Sequence, residues 1–246
     1  MDKLSELAIK YGTDKWNSHY YTQHYESSFL HLRNEEIKLL EIGVGGYEHK
    51  NEGGNSLRMW KDYFPKGEIY AFDIEDKSHF SQDRITILKG DQYDSSFLED
   101  LNLSCGPFDI IIDDGSHVSK HIIFTFKKLF PLLKDNGFYC IEDLQTSYWK
   151  AFGGDSFNLQ KTGTSMNFLK NLVDGLNHEE IDNPYYDPSY FDLNIDSIKF
   201  FHNLAILHKG KNKEGSNIVK SNRILDHSFL SYLKYFLRKV KSKFLI

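Results

Sequence analysis

The sequence lacks the features that mark secreted, disulfide-stabilised or membrane-spanning proteins. It contains only two cysteines, Cys105 and Cys140, and Cys140 lies inside the apolar stretch GFYCIED, so a disulfide framework is not expected. The N-terminus has neither the basic start nor the apolar stretch of a signal peptide, and no run of about 18 apolar residues could span a bilayer. We therefore expect a protein of the reducing cytoplasm.

Charge is distributed unevenly along the chain. The net charge of the whole chain is −5. Residues 220–246 carry seven Lys or Arg against one acid, Asp226, which is a net charge of +6, so residues 1–219 carry −11. An acidic body argues against a nucleic-acid-binding protein. Residues 226–246 are predicted to form an amphipathic helix. Two roles for it stay open: docking on an anionic inner-membrane surface, and packing on the body or on another subunit.

Short apolar runs alternate with helical patterns through the middle of the chain. The runs IKLLEIGVGG, GEIYAFDI, RITILKGD, FDIIIDD and GFYCIED are predicted strands. A helix is predicted from Asn55 to Tyr63, capped by Asn55 or Ser56. Strands that alternate with helices predict an α/β fold with a doubly wound, Rossmann-like parallel sheet and helices on both faces. SIKFFHNLAILH, residues 197–208, is predicted to add one or two closing strands.

Three regions are predicted: an N-terminal helical cap at 1–35, a main domain at 36–210 and the basic tail at 211–246. The cap is expected to contain helices at 3–10 and 18–33. Within the main domain, the regular pattern breaks near residue 148 into segments rich in aromatics, Gly and Pro. Residues 148–195 are therefore expected to be a lid or substrate-binding insertion.

Glycines and polar residues stand at the carboxyl ends of all five predicted strands, where an open parallel sheet binds its ligands. In chain order they are Glu41, Gly43, Gly45 and Gly46; Asp73; Asp91 and Gln92; Asp113, Asp114 and His117; and Glu142 and Asp143. Glycines let the backbone pass close to a ligand. Asp73 suits two ribose hydroxyls, and the GDQ that contains Asp91 and Gln92 suits an adenine amine. Glu48 stands where the dinucleotide fingerprint requires a third Gly or Ala, which disfavours a dinucleotide.

Three of these carboxylates, Asp114, Glu142 and Asp143, are expected to converge if the fourth and fifth strands are neighbours. Their repulsion would be relieved by a cation, and an all-oxygen ligand set favours Mg²⁺ or Ca²⁺ over zinc. Adjacent residues at a strand end diverge, so Asp113 is expected to support the cofactor pocket or the turn instead. The alternative is that Asp114 and Asp143 only cap the segments that follow them.

His117 follows Asp114 by three residues and is a candidate general base. Histidine is a common general base, and its imidazole could take the proton of a hydroxyl that a metal has acidified. A polar surface or capping role is the alternative for a histidine at a helix start. His121, one helical turn further on, competes for the same assignment.

Five stretches together resemble a known family: LLEIGVGGYE, GGNSLRMWKDYFPKGEIYAFDI, KGDQ, FDIIIDDGSH and IEDLQTSYW. They are similar to the class I S-adenosylmethionine-dependent, metal-dependent sugar O-methyltransferases of the macrocin and mycinamicin type. The resemblance runs from YGTDKW to about Gly154. In mycinamicin-type enzymes an additional N-terminal domain precedes this unit, and we expect none here. The sequence therefore does not predict the oligomeric state, and a homo-oligomer is one of the alternatives.

The resemblance implies a role for most of the strand-end residues. Mg²⁺ would be held by Asp114, Glu142 and Asp143, and His117 would be the general base. The methyl donor, S-adenosylmethionine, would contact Glu41, Gly43, Asp73, Asp91 and Gln92, with help from Ser56 and Arg58. The N-terminal stretch YGTDKWNSHYYTQHYE would close over the cofactor.

The sequence therefore predicts methyl transfer from S-adenosylmethionine to a hydroxyl of a sugar or glycosylated acceptor, assisted by Mg²⁺ and His117. A nicotinamide-dependent oxidoreductase is a second hypothesis. A noncatalytic module that keeps the fold as a binding surface is a third. The complete set of clustered carboxylates and a histidine argues against the third, because a pure scaffold gains nothing from them.

Overall fold

The computed structural model describes residues 1–181, 183, 185–213 and 215–216, and the backbone of 219–220 and 223–224. Seven strands form one sheet: β1 (Lys38–Ile42), β2 (Glu68–Asp73), β3 (Ile85–Lys89), β4 (Ile110–Asp113), β5 (Phe138–Ile141), β6 (Ile195–Phe201) and β7 (Leu204–Lys209). Their order is β3-β2-β1-β4-β5-β7-β6. The first five strands are parallel, and β7 runs antiparallel to both β5 and β6. The expected doubly wound sheet is confirmed, with an antiparallel hairpin at one edge.

Helices cover the sheet: α1 (Lys3–Tyr11), α2 (Thr22–Phe29), α3 (Asn55–Tyr63), α4 (Ser95–Cys105), α5 (Ser119–Leu129), α6 (Ser165–Gly175) and α7 (Tyr190–Asn194). Short 3₁₀ helices lie at Leu30–Leu32, Ser78–Phe80, Phe130–Leu132, Leu144–Tyr148, Lys150–Phe152 and His178–Glu180. A separate two-stranded pair joins Val219–Lys220 to Arg223–Ile224. The insertion predicted at 148–195 thus contains α6 and α7.

Side chains alternate along each strand, and those of the inner strands are buried on both faces of the sheet by packing against helices. Leu39 and Ile112 belong to an apolar cluster on one face, which also contains residues of α1, α2 and α3. Leu40 and Ile111 belong to a second cluster on the other face, with residues of α4, α5 and α6. The inner strands β1, β4 and β5 are buried along nearly their whole length, so a ligand can reach them only where they end.

Local chemistry sets the ends of the N-terminal helices. Asp2 caps α1 by accepting a hydrogen bond from the Ser5 N–H, and Gly12 ends it in a left-handed conformation. The second helix is shorter than the predicted 18–33, since α2 begins at Thr22 after the turns that place residues 13–21 over the sheet.

The predicted cap of α3 is wrong. The N-cap residue is Gly54, in a left-handed conformation that favours glycine, and it has no side chain with which to cap the helix. Asn55 turns away, and its side chain donates to the Gly12 carbonyl at 3.2 Å. The predicted amphipathic helix of the tail lies outside the described residues. Among those described, no helix is both long and apolar enough to cross a lipid bilayer.

Candidate active site

Carboxylates from three adjacent strands meet around one lysine. Strand β1 lies between β2 and β4, and β5 follows β4, so Glu41, Asp114 and Glu142 stand close together at the same sheet edge. The Lys15 ammonium lies 3.2 Å from Glu41 Oε1, 2.8 Å from Asp114 Oδ2 and 2.8 Å from Glu142 Oε2. Because Lys15, Glu41 and Glu142 are almost fully buried, this cluster sits in a medium of low polarity.

Two more side chains donate hydrogen bonds to the buried acids. The Tyr25 hydroxyl donates to Glu142 Oε1 at 2.6 Å, and Trp60 Nε1 donates to Glu41 Oε2 at 3.0 Å. Burial raises the pKa of both glutamates, opposed by the charge of Lys15. Burial alone would lower the pKa of Lys15, but the surrounding carboxylates outweigh it and raise this pKa well above its usual value. Lys15 is therefore charged.

Lys15 was not among the site residues predicted from the sequence. It lies in the YGTDK stretch, whose resemblance marked only a segment closing over a cofactor. The signal that could have found it is electrostatic: several acids predicted at one buried edge require a cation.

A second group of side chains lies next to the first and is more open to solvent. Each of Asp114, His117 and Asp143 offers one atom such that all three atoms lie within 4.8 Å of one another. His117 Nε2 is 3.9 Å from Asp114 Oδ1 and 3.7 Å from Asp143 Oδ2. Asp114 therefore faces Lys15 with one oxygen and His117 with the other.

The backbone that carries this second group is sharply turned. His117 has φ 55° and Asp143 has φ 52°, both in the left-handed region that non-glycine residues rarely adopt. Thr146 fixes the two turns to each other, since its hydroxyl contacts the His117 carbonyl at 3.0 Å and the Asp143 carbonyl at 2.9 Å. The Tyr21 hydroxyl donates to Asp143 Oδ1 at 2.8 Å. Asp143 Oδ2 remains directed toward His117.

The two consecutive aspartates face different surroundings, as predicted from strand alternation. Asp113 is buried and accepts from Gln92 Nε2 at 3.2 Å, and burial raises its pKa to about 6. Gln92 also accepts from the Ser116 N–H at 2.6 Å and donates to Thr125 at 3.2 Å. Gln92 thus holds the turn before His117, and its side-chain amide is occupied by the protein itself.

A cavity of about 550 Å³ opens beside Asp114 at the carboxyl ends of β1 and β4. It is lined by Gly12, Thr13, Asp14, Gly43, Val44, Gly45, Gly46, Asn51, Glu52, Gly53, Asn55, Ser56, Arg58, Phe80 and Asp114. A cavity of this size is in the range of small-molecule sites. It contains five of the residues predicted for the site: Gly43, Gly45, Ser56, Arg58 and Asp114.

The other predicted cofactor residues do not line this cavity. Glu41 is buried behind it, where it also bonds the Ser56 hydroxyl. Asp73 Oδ2 accepts from the Val44 N–H at 2.9 Å and so fixes the loop after β1. Asp91 is exposed, and its Oδ1 accepts from the Tyr93 N–H at 2.8 Å.

His121, the competing histidine, is outside the group formed by Asp114, His117 and Asp143. Its Nδ1 lies 2.8 Å from the Ser116 hydroxyl, and its ring packs against Tyr93 at a tilt of 34°, with centroids 4.7 Å apart. The geometry therefore favours His117 as the histidine that can exchange a proton beside the two carboxylates.

The sheet order and the cavity at its carboxyl edge define the class of protein, which is a domain with the Rossmann-like methyltransferase fold. The structure matches MycE, a methyltransferase from the mycinamycin biosynthetic pathway crystallised with Mg and SAH. The TM-score is 0.86 at 43% sequence identity, over 95% of this chain and 60% of that one. A second MycE structure, which also holds mycinamycin VI, gives a TM-score of 0.85 at 44% identity, over 95% and 59%.

Curated relatives give the same assignment. The mycinamicin VI 2''-O-methyltransferase of Micromonospora griseorubida is 47% identical, and the demethylmacrocin O-methyltransferase of Streptomyces fradiae is 49% identical, each over 86% of this chain and 54% of the relative. The chain is thus a homologue of sugar O-methyltransferases of macrolide pathways, and it spans about half the length of these relatives. The predicted resemblance is confirmed. A scan against protein-family models finds no match, and no comparison supports an oxidoreductase or a noncatalytic module.

Proposed function

We propose that the chain transfers a methyl group from S-adenosylmethionine to a hydroxyl of a sugar or glycosylated acceptor, assisted by Mg²⁺. The observation that carries the proposal is the position of Asp114. This residue lines the cavity and also belongs to the group with His117 and Asp143. A methyl donor bound in the cavity and an acceptor hydroxyl beside His117 would therefore both lie next to Asp114.

The cavity fits a ligand that approaches the backbone closely. Gly45 lines the cavity with φ 79°, and nothing lies within 4 Å of the place where its Cβ would stand. Gly12, on the opposite N-terminal segment, has the same property with φ 65°. The missing side chains leave room for a donor to approach two stretches of main chain closely.

The carboxylates fit a hard divalent cation. We propose that Asp114 and Asp143 hold Mg²⁺, because each directs an oxygen toward the same partly exposed space near His117. Glu142 stays the third proposed ligand, although both its oxygens contact Lys15 in this structure. When bound, Mg²⁺ would supply a Lewis acid for the negative charge of the acceptor oxygen, and S-adenosylmethionine would supply the electrophilic methyl group.

Residues of the chain itself take up the proton of the acceptor hydroxyl. The His117 imidazole accepts the proton of the acceptor hydroxyl at Nε2, and the charge so formed is stabilised by Asp114 and Asp143, both within 4 Å. The Tyr21 hydroxyl holds Asp143 in place. The deprotonated acceptor oxygen would then attack the methyl carbon in line with the departing sulfur, so that the C–O bond forms as the C–S bond breaks and S-adenosylhomocysteine leaves.

Residues 148–195 are the proposed acceptor-binding insertion. Trp149 is 51% exposed, although it lies only six residues after Asp143, and its ring packs against Phe152 with centroids 5.9 Å apart. An aromatic face held in this way can stack on a sugar. We also propose, from charge alone, that residues 226–246 contact an anionic membrane surface or a second subunit. Co-sedimentation with anionic vesicles that persists after truncation of the tail would refute the membrane contact.

The test is an acceptor screen with methyl-labelled S-adenosylmethionine and MgCl₂, using nucleotide sugars, glycosylated macrolides and free oligosaccharides. Label should pass to at least one sugar acceptor, and EDTA should abolish the transfer. Asp143→Asn, which removes the charge and keeps the shape, should lower the rate at least tenfold. Absence of transfer to every acceptor, or full activity in EDTA, would contradict the proposal.

A further inference from the structure

Lys15 is a buried cation that the proposed chemistry does not use. Its side chain is 1% exposed, and it contacts carboxylates from the ends of three strands. A buried ammonium costs several kcal/mol of solvation, so it is kept only where carboxylates compensate it. Among the described residues, Lys15 is the one cation within 4 Å of Glu41 and Glu142.

The ammonium uses the atoms that a metal would need. Nζ lies 2.9 and 2.8 Å from the two oxygens of Glu142, and 2.8 Å from Asp114 Oδ2. Only Asp114 Oδ1 and Asp143 Oδ2 are left facing His117. A divalent cation that took Glu142 and Asp114 together would have to approach Lys15 or displace it.

Lys15 is also joined to the wall of the cavity. The three residues before it along the chain, Gly12, Thr13 and Asp14, line that cavity. The backbone carbonyl of Lys15 accepts from the Tyr21 N–H at 3.2 Å, and Tyr21 in turn bonds Asp143. The contacts of Lys15 and Tyr21 together thus fasten the N-terminal segment to the carboxylate cluster.

We propose that Lys15 is a built-in counter-cation that competes with the divalent cation for Asp114 and Glu142, and that anchors the segment at residues 12–14 over the donor cavity. The identity of the competing cation as Mg²⁺ rests on the proposed function. Competition between the two cations is reciprocal. Anything that holds Lys15 on the carboxylates weakens metal binding, and metal binding weakens the contacts by which Lys15 anchors residues 12–14.

The test compares Lys15→Met with Lys209→Met by titration calorimetry. Lys209 is a matched control, because it is also buried but donates to the carbonyls of Pro131 and Leu133 and contacts no carboxylate of the site. Lys15→Met should bind MgCl₂ at least tenfold more tightly than the unchanged chain, because a positive charge beside the carboxylates is gone. In EDTA it should bind S-adenosylhomocysteine at least threefold more weakly. Lys209→Met should change neither.

Opposite changes in the two affinities separate this role from general damage, which would weaken both. Equal or weaker Mg²⁺ binding by Lys15→Met overturns the proposal, as does unchanged binding of S-adenosylhomocysteine. If Lys15→Met does not fold in EDTA, Lys15→Gln replaces it. Folding of either variant that is restored by MgCl₂ supports the proposal, and failure of both to fold with MgCl₂ overturns it. No acceptor is needed, so absence of methyl transfer would leave this result unaffected.

Discussion

Replacing Gly43 by alanine should destabilise the protein far more than the same change at Gly45, two residues away. Both glycines have positive φ, 92° and 79°. They differ in what an added Cβ would meet. At Gly43 it would lie 2.3 Å from the Asp114 carbonyl oxygen, whereas at Gly45 it would meet nothing within 4 Å. The first substitution forces apart two loops of the site, and the second only strains its own backbone.

The expected magnitudes follow from these contacts. A non-glycine residue in the left-handed region costs about 1–2 kcal/mol, which applies to both variants. Overpacking against backbone adds about 1–3 kcal/mol at Gly43 alone. Gly43→Ala should therefore lose about 2–5 kcal/mol of unfolding free energy, and Gly45→Ala about 1–2 kcal/mol.

Urea unfolding measures the stability difference, and calorimetry with S-adenosylhomocysteine measures the second effect. Because Gly45 lines the cavity, its added methyl group should occupy ligand space and weaken binding at least threefold. Equal losses of stability in the two variants would refute the close approach of Gly43 to Asp114. Unchanged binding by Gly45→Ala would refute the assignment of the cavity to the donor.

Two further predictions concern the buried residues beneath the site. Gln92→Met should lower the free energy of unfolding in urea by about 2–4 kcal/mol, because the Ser116 N–H and Asp113 lose hydrogen-bond partners. Its affinity for S-adenosylhomocysteine should stay within twofold of the unchanged chain. A large loss of affinity would instead support the predicted contact between Gln92 and the cofactor. Burial raises the pKa of Asp113 to about 6 in the folded state, against about 4 in the unfolded chain. Folding therefore favours the neutral carboxyl, and this contribution to stability is lost as the pH rises from about 4 through 6. Relative to Asp113→Asn, measured in EDTA, the unchanged chain should lose up to about 3 kcal/mol over this interval, and parallel pH profiles would contradict the assignment.

Residues along the strands could be placed from the sequence because burial dictates them. FDIIIDD and GFYCIED have to be inner strands, and their ends have to share one edge of the sheet. The different surroundings of Asp113 and Asp114 followed from the same alternation. The apolar faces and the site edge were therefore predictable.

The contacts that depend on long-range packing were not predictable. Lys15 reaches Glu142 across 127 positions of sequence, and no local pattern encodes that meeting. Gln92 was predicted to contact an adenine from its place in GDQ, whereas in the structure its side-chain amide bonds the Ser116 N–H and the buried Asp113. The cap of α3 was misassigned because the preceding turn needs a left-handed residue, which favours Gly54 over a polar cap.

The most direct test of the account is a comparison of His117→Ala with His121→Ala. The His117 ring lies within 4 Å of Asp114 and Asp143, whereas His121 bonds Ser116 outside that group. With labelled S-adenosylmethionine, MgCl₂ and an acceptor found in the screen, His117→Ala should bind S-adenosylhomocysteine normally and lose about 10²-fold or more in single-turnover rate. His121→Ala should stay within a few fold of the unchanged chain. Near-normal turnover by His117→Ala would contradict the central claim that this histidine takes the proton of the acceptor.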